Sequence, residues 1–376
     1  MKTLGLYIHI PFCLRKCNYC DFNSYSTMNH LKEQYVKALI KELEIYKEFV
    51  DAVIDTIFIG GGTPTCLPPE YISKIMAACC KWYNIAPNCE ITIEANPGTL
   101  SLPMLKAIKE SGINRLSIGL QSWHNDELVR LGRIHTREQF VENYNTARNL
   151  GFENINVDLM FSLPDQDIEK WKNTLCEVVK MSPEHISAYS LIIEENTPLY
   201  DDYDAGRLIL PDEISDRLMY HMAVEMLAQY GYHNYEISNF SKAGFECRHN
   251  LRYWKCEEYI GIGAGAHSYL KDKRFSNIAL PQDYIKMIHS GVRPIAECME
   301  LTEKEKISEY MILGLRLIKG ISREDFFKCF KKDLLSVYGK EIDKFMKLGL
   351  MEIDSGRYKL TRKGIDVSNQ IFVEFI

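Results

Sequence analysis

The chain has 376 residues, of which 46% are hydrophobic and 26% charged, with a formal net charge of −6. This is the make-up of an ordinary globular protein with apolar material for one large domain and a smaller one. The acidic balance argues against broad nucleic-acid binding as its main task, although a local basic patch stays open. No apolar run is long enough to cross a bilayer, and no basic-then-apolar leader opens the sequence, so a cytoplasmic location is expected. The 12 cysteines are scattered outside one short loop, which suits a reducing compartment and not a disulfide framework.

The first element, Leu4–Ile10, is a short apolar run that reads as a strand. It feeds a loop in which Cys13, Cys17 and Cys20 form a C-x3-C-x2-C run. A helix follows near His30–Phe49, where Val36, Leu39, Ile40 and Leu43 fall at helical spacing. The strand Ala52–Ile59 ends in Gly60-Gly61-Gly62-Thr63-Pro64, and the helix Pro69–Trp82 has proline at its start. Next come strand Glu90–Glu94, helix Leu102–Ser111, strand Arg115–Leu120, helix Arg137–Leu150, strand Ile155–Phe161, helix Ile168–Met181 and strand His185–Leu191. A helix near Asp212–Tyr230 closes a sixth β-then-α unit. Such alternation predicts parallel strands joined by right-handed crossovers. Six units are too few for an eight-fold barrel, so the expected α/β fold is a partial (β/α)6, TIM-like barrel; a doubly wound sheet is the rival. In such a barrel the chemistry sits at the C-terminal ends of the strands. The cysteine loop, the triple glycine, Glu94, Gln121 and Asp158 all fall there.

From about Tyr232 the rhythm changes. Tyr232–Ile237 is expected as an edge strand, His249–Trp254 as a polar–aromatic loop, and Tyr259–Tyr269 as a glycine-rich turn over the open side of the barrel. Leu301–Ile318 reads as an amphipathic helix with Thr302 as its cap and Glu305 three residues on. Phe326–Phe330 and Glu341–Leu348 suggest two further helices, and Leu350–Ile353 and Tyr358–Leu360 flank a hairpin turn. The expected divisions are a barrel over 1–235, a barrel-closing segment over 236–298, and a small helical, winged-helix-like C-terminal domain over 299–376.

Three thiolates on one loop can hold three irons of a [4Fe–4S] cluster and leave the fourth open to another molecule; electron-transfer clusters usually take four cysteines. A zinc site needs a fourth ligand, and the next cysteine is Cys66, so His9 or His30 would have to complete a Cys3His set. The Gly60–Pro64 turn lets backbone N–H groups approach a ligand, though such turns are more often only turns. It is not a Walker loop, because no Gly-Lys-Ser/Thr follows. Glu94, at the end of an apolar strand, is costly unless paired or wet; a capping or salt-bridged role is the plain alternative.

The stretch Tyr7-Ile-His-Ile-Pro-Phe-Cys13-Leu-Arg-Lys-Cys17-Asn-Tyr-Cys20-Asp-Phe22 resembles the signature loop of the radical S-adenosylmethionine (radical SAM) superfamily. Its flanks resemble the branch that holds the oxygen-independent coproporphyrinogen III dehydrogenases and the haem chaperones. The resemblance implies a [4Fe–4S] cluster on Cys13, Cys17 and Cys20. It implies S-adenosyl-L-methionine bound by Gly61, Gly62 and Thr63 of the GGGTP element, with Tyr7, Glu94, Gln121, Arg133 and Asp158 at further cofactor positions. Arginine suits a carboxylate, and Asp and Gln suit amines and hydroxyls.

His249-Asn250-Leu-Arg-Tyr253-Trp254 is similar to the HNxxYW motif of the haem-chaperone group. That makes His249 the candidate haem ligand, with an anchoring role in the barrel lid as the plain alternative; Cys247 and His267 are lesser candidates. Phe22 stands where the dehydrogenases carry a further cysteine, and Cys13 is reached sooner than in them. The resemblance therefore implies a chaperone that binds haem as cargo and passes it to acceptor haemoproteins, such as membrane respiratory proteins. It leaves open whether the chain is an enzyme and assigns no catalytic residue. The alternative is the dehydrogenase itself, acting by radical decarboxylation in porphyrin biosynthesis. A third reading, a regulator binding DNA through Lys331, Lys332, Lys340, Arg357, Arg362 and their neighbours, competes with a simple solvated face, and no nucleic acid is expected as a partner.

Overall fold

A computed structural model describes residues 2–376. Six parallel strands form its centre: β1 (Thr3–Ile10), β2 (Val53–Gly61), β3 (Ile85–Ala95), β4 (Arg115–Gln121), β5 (Ile155–Phe161) and β6 (His185–Ser190). They pair in chain order, as right-handed βαβ units do when each helix packs back on the sheet. This is the partial barrel expected from the alternation, and the doubly wound order is not observed.

Period-2 alternation explains what each face does. On one face Leu6, Ile8, Ile57, Ile93, Leu116, Ile118, Val157 and Ile186 are fully buried against the helices. Each such side chain contributes about 1.5–3 kcal/mol relative to exposure. The intervening residues face inward and are mostly polar: Tyr7 and His9, Thr56, Glu90 and Glu94, Arg115 and Ser117, Asn156 and Asp158, His185 and Ser187. Much of their cost is met by mutual hydrogen bonds, although the buried Arg115 keeps an Nε without a partner. Asn156 Nδ2 donates to Ser117 Oγ and to Asp158 Oδ1, both at 2.7 Å, and Asn156 Oδ1 lies 2.7 Å from His185 Nδ1.

The sheet continues past both edges of the six. β7 (His233–Glu236) lies at one edge as expected, joined through β8 (Asn239–Ser241), which runs antiparallel to β6. At the other edge β9 (Tyr259–Ile262) runs parallel to β1 and leads to the antiparallel β10 (His267–Leu270), β11 (Lys273–Asn277) and β12 (Ile295–Glu300). The expected glycine-rich turn is thus two strands with a short turn between them. The expected polar–aromatic loop is a helix, Arg248–Trp254. Its start is held by a carboxylate from another part of the chain: Glu90 accepts the backbone N–H groups of Arg248 and His249, both at 3.0 Å. No local residue announces that cap.

The C-terminal part has its own core, with Met311, Phe326, Leu334, Ile342, Phe345 and Ile371 at its centre. The helix Glu303–Gly314 starts with the expected capping box of Thr302 and Glu305. The helices Arg323–Phe330 and Leu334–Lys347 are both longer than their apolar residues suggested. The expected hairpin is present, turning at Ser355 and Gly356, both with positive φ. Among the described residues no helix is long and apolar enough to cross a membrane.

One buried carboxylate fastens the edge of the barrel. Glu42, in the helix Lys32–Tyr46, accepts the Gly263 N–H at 2.7 Å, Asn277 Nδ2 at 2.7 Å and the Tyr284 hydroxyl at 2.6 Å. Gly263 has φ +106°, and a Cβ there would lie 2.6 Å from the His9 carbonyl oxygen, so only glycine fits. Burial pushes the Glu42 carboxyl up to about 7, against the pull of its three donors. The folded carboxyl keeps its proton to higher pH than the unfolded one. Its contribution to stability is therefore full below about pH 4.5 and is lost as pH rises through 7. Urea unfolding of the wild type should lose up to about 3 kcal/mol on this account between pH 4.5 and 7.5. The variant Glu42→Gln, which cannot ionise, should lack that part of the slope; superimposable pH profiles would contradict the assignment.

Candidate functional site

The cysteine loop leaves β1 at the rim and is pinned by backbone bonds, from Tyr25 N–H to the Pro11 carbonyl at 2.8 Å and from Asn18 N–H to the Leu131 carbonyl at 3.0 Å. Cys13 is buried, Cys17 and Cys20 are half-buried, and all three are free thiols. Burial pushes the thiols of Cys13 and Cys20 up, so a metal would displace their protons on binding. The Thr63 hydroxyl donates to Cys13 Sγ and Arg133 Nη1 donates to Cys17 Sγ, each at 3.5 Å. These donors favour thiolate sulfur. A single zinc would gather its sulfurs within about 4 Å of one another. Among the described residues no three His, Cys, Asp or Glu side chains converge in that way. His30 is exposed, and His9 is engaged elsewhere. Neither histidine is therefore placed to complete a Cys3His zinc set.

The three glycines at the end of β2 are required by space. A Cβ on Gly60 would lie 2.9 Å from Glu94 Oε2, one on Gly61 2.6 Å from the His9 ring, and one on Gly62 2.7 Å from the Phe12 carbonyl oxygen and 3.1 Å from Cys13 Sγ. The β2 exit therefore lies directly against the cysteine loop. Gly61 N–H donates to Glu94 Oε2 at 3.1 Å, the one hydrogen bond its carboxylate makes. Desolvation, and then the negative Asp158, push the Glu94 carboxyl up to about 8. Neither carboxylate forms an ion pair among the described residues; Asp158 accepts only from Ser117 and Asn156. A cationic ligand group would relieve both.

The tautomer of His9 settles what Tyr7 offers. His9 Nε2 lies 2.9 Å from the Asn23 carbonyl oxygen and must donate to it; Nδ1, 2.9 Å from the Tyr7 hydroxyl, then accepts. Burial lowers the His9 pKa, which keeps the ring neutral. Tyr7 thus spends its proton on His9 and keeps its oxygen as an acceptor. Gln121 sits on a bulge with φ +72° at the end of β4, which turns its side chain back over Gly119, where an added Cβ would meet Gln121 Nε2 at 2.8 Å. Arg133 Nη2 donates to the Gly119 carbonyl at 2.6 Å, while its Nε is buried without a partner. Tyr7, Gly61, Gly62, Thr63, Glu94, Gln121, Arg133 and Asp158 therefore gather beside the three cysteines, although they come from six segments of chain. Their donors, acceptors and clearance could hold a small zwitterion with a further positive centre.

Two cavities open from this point. An inner one of about 210 Å³ lies inside the barrel among Tyr7, Glu94, Arg115, Asp158, Tyr189 and His249. An outer cleft of about 610 Å³ shares Tyr7, Glu94 and Tyr253 with it and continues past Gly61 between Trp254, Tyr259, Tyr269 and His267. His249 does not face this cleft. It is fully buried, and its ring nitrogens lie 2.9 Å from the Thr56 hydroxyl and 2.9 Å from the Tyr253 hydroxyl. Cys247 is also fully buried, its sulfur 3.7 Å from a Glu90 oxygen. Sequence reasoning missed Arg115 and the aromatic wall of β9 and β10. The polar alternation Arg115-x-Ser117-x-Gly119-x-Gln121 along an otherwise apolar strand was the available signal for the first.

Residues 7–176 match the Radical SAM superfamily and residues 301–367 match the HemN C-terminal domain. The structure is similar to that of coproporphyrinogen III oxidase HemN from Escherichia coli, with a TM-score of 0.86 over 100% of this chain and 90% of that one at 24% identity, a likeness of fold. A radical SAM barrel with a HemN-type C-terminal domain is thus the class of the protein. Across its length the chain is 38% identical to heme chaperone HemW of Bacillus subtilis, covering 98% of both chains, and 36% identical to heme chaperone HemW of Lactococcus lactis, covering 100% of this chain and 98% of that one. The chain belongs to the HemW family.

The glycine cradle makes a direct prediction. Gly62→Ala should push the cysteine loop off β2, costing about 1–3 kcal/mol and lowering iron uptake on anaerobic reconstitution by more than half. Gly339→Ala, inside the helix Leu334–Lys347 with the nearest atom to the added Cβ 3.8 Å away, should leave iron uptake unchanged and raise stability by about 0.5–1 kcal/mol. Equal iron and sulfide counts in the two variants would contradict the close packing described here.

Proposed function

We propose that this protein is a haem chaperone on a radical SAM scaffold, which binds haem and passes it to acceptor haemoproteins. The observation that carries this reading is the end-to-end similarity to proteins named heme chaperone HemW. The site supports it with one continuous opening, polar near the cysteine loop at Tyr7, Gly61 and Glu94 and aromatic farther out at Tyr253, Trp254, Tyr259 and Tyr269. In this reading Cys13, Cys17 and Cys20 hold a [4Fe–4S] cluster, and Tyr7, Gly61, Gly62, Thr63, Glu94, Gln121, Arg133 and Asp158 bind SAM. Glu94 and Asp158 take the positive groups, Arg133 takes the carboxylate, and the tyrosine oxygen accepts from the amine; the Gly61–Thr63 backbone gives clearance, because its N–H groups are already donated to Glu94, Ile10 and Phe12. When bound, the cluster and SAM supply one-electron, radical-forming chemistry, while the protein supplies orientation and exclusion of water. Phe22 at the cluster loop is exposed, where the resemblance gives the dehydrogenases a cysteine.

Haem added to the anaerobically reconstituted protein should give a saturable Soret shift. With reductant, SAM and coproporphyrinogen III the same protein should form no protoporphyrinogen. Turnover of that porphyrinogen would replace the chaperone reading with the dehydrogenase.

Glu94 gives a pH test of the SAM cradle. Without ligand its carboxyl holds a proton up to about pH 8, and a cationic ligand group needs it ionised. SAM affinity should therefore rise between pH 6 and 7.5, by up to about tenfold per pH unit. Glu94→Gln should bind more weakly and show no such rise. Calorimetric titrations with equal pH slopes in the two proteins would remove Glu94 from the site.

A further inference from the structure

The residue that the motif singles out for haem iron is sealed away from the aromatic cleft. His249 is fully buried and both its nitrogens are hydrogen-bonded, to Thr56 and to Tyr253. To reach iron it would have to break one of these bonds and turn out of a packed site between Phe58, at 5.3 Å, and Tyr253, at 5.2 Å, between ring centroids. The outer cleft presents another imidazole. His267 opens β10, and period 2 sends its side chain to the same face as Tyr269, while Ser268 between them turns inward and accepts the Gly261 N–H at 2.9 Å. His267 and Tyr269 both line the cleft. The His267 ring is exposed and makes no hydrogen bond among the described residues.

The other iron-binding groups on this wall are committed or protonated: Glu257 pairs with Arg252 at 3.4 Å, and burial pushes the Tyr259 phenol up. His9 is locked between Tyr7 and Asn23. Burial pushes the Cys256 thiol and the Tyr269 phenol each up to about 12, and the Tyr253 phenol well above its usual value, which keeps them in forms that ligate iron poorly. Of these groups His267 alone presents an imidazole free of hydrogen bonds among the described residues.

We propose that haem lies in the aromatic cleft and that His267 supplies its iron ligand, with His249 as a positioning residue that fixes Tyr253 through their hydrogen bond. This rests on the haem-binding reading above and names the ligand within it. Tyr253, Trp254 and Tyr259 supply flat apolar surface for a macrocycle, and Leu313, within the HemN-type C-terminal domain, also lines the cleft. Tyr259 packs edge-on to Tyr253 at 4.6 Å between centroids, so the orientation of one ring sets the other. The hydrogen-bonded pair of His249 and Tyr253, four residues apart on one helix, is thereby transmitted to the cleft wall.

The test is an anaerobic haem titration of the full, cluster-loaded protein, read by Soret position and by the ferrous iron–histidine stretch in resonance Raman spectra. His267→Ala should weaken haem binding about tenfold or more and abolish that stretch. In His267→Gly, free imidazole should restore the wild-type Soret position while leaving the wild-type spectrum unmoved. His249→Ala should keep the stretch, with weaker binding and a changed Tyr253 environment. An unaltered stretch in His267→Ala, or its loss in a folded His249→Ala, would overturn the assignment. If the wild type gives no Soret shift, the haem reading fails and the assignment falls with it. If the wild type binds haem but has no iron–histidine stretch, only the assignment fails.

Discussion

The polar inner face of the barrel is the constraint on which the rest of the structure depends. Each of the six parallel strands spends one face on the apolar layer beneath the helices, and the other face carries carboxylates, amides, hydroxyls and Arg115 into an enclosed space. An unpartnered polar group there costs about 1–3 kcal/mol, more if charged. Most members are satisfied by one another across neighbouring strands, as Ser117, Asn156, Asp158 and His185 are. Towards the rim this mutual satisfaction runs out. Glu94 has one backbone donor, Arg133 keeps a buried Nε without a partner, and the Tyr7 oxygen is free to accept. Apart from Arg115, whose buried Nε has no partner, the interior is thus largely self-contained at depth and left open to a ligand at the strand ends, which is where a barrel of this kind does its chemistry.

The site is built by close approach as much as by charge. Because Gly60, Gly61 and Gly62 lack Cβ atoms, the end of β2 touches Glu94, His9 and the cysteine loop at once. The same economy recurs at Gly263, where the turn after β9 lies on the His9 carbonyl and is tied down by Glu42. His9 is common to both places. Its ring orders Tyr7 and Asn23, and its carbonyl accepts from Tyr35, whose hydroxyl also accepts the Ala264 N–H. The cradle and the aromatic cleft are therefore mechanically one unit, and the C-terminal domain joins it where the Arg316 guanidinium lies 4.6 Å over the Trp254 ring.

Local pattern made the central barrel legible. Apolar runs alternating with helical spacing locate all six parallel strands, and Cys13, Gly61, Glu94, Gln121 and Asp158 fall at or near strand ends in the sequence itself. What local pattern could not show was set by distant partners. The helix Arg248–Trp254 looked like a loop because its N-terminal cap is Glu90, on a strand some 158 residues earlier. The strands β9 and β10 looked like one glycine-rich turn because they are four residues each and are held by β1 and β11. The burial of His249 was invisible for the same reason: His-Asn-Leu-Arg is polar as text, but Thr56 and Tyr253 satisfy the ring inside the protein.

The central claim is that three thiolates on one loop leave an iron open beside a carboxylate-lined cradle. Electron paramagnetic resonance of the reduced, anaerobically reconstituted protein, recorded with and without SAM, tests it most directly. A cubane signal whose shape changes when SAM is added is expected. A cubane signal that SAM leaves unmoved, or a preparation that takes up zinc and no iron, would contradict it.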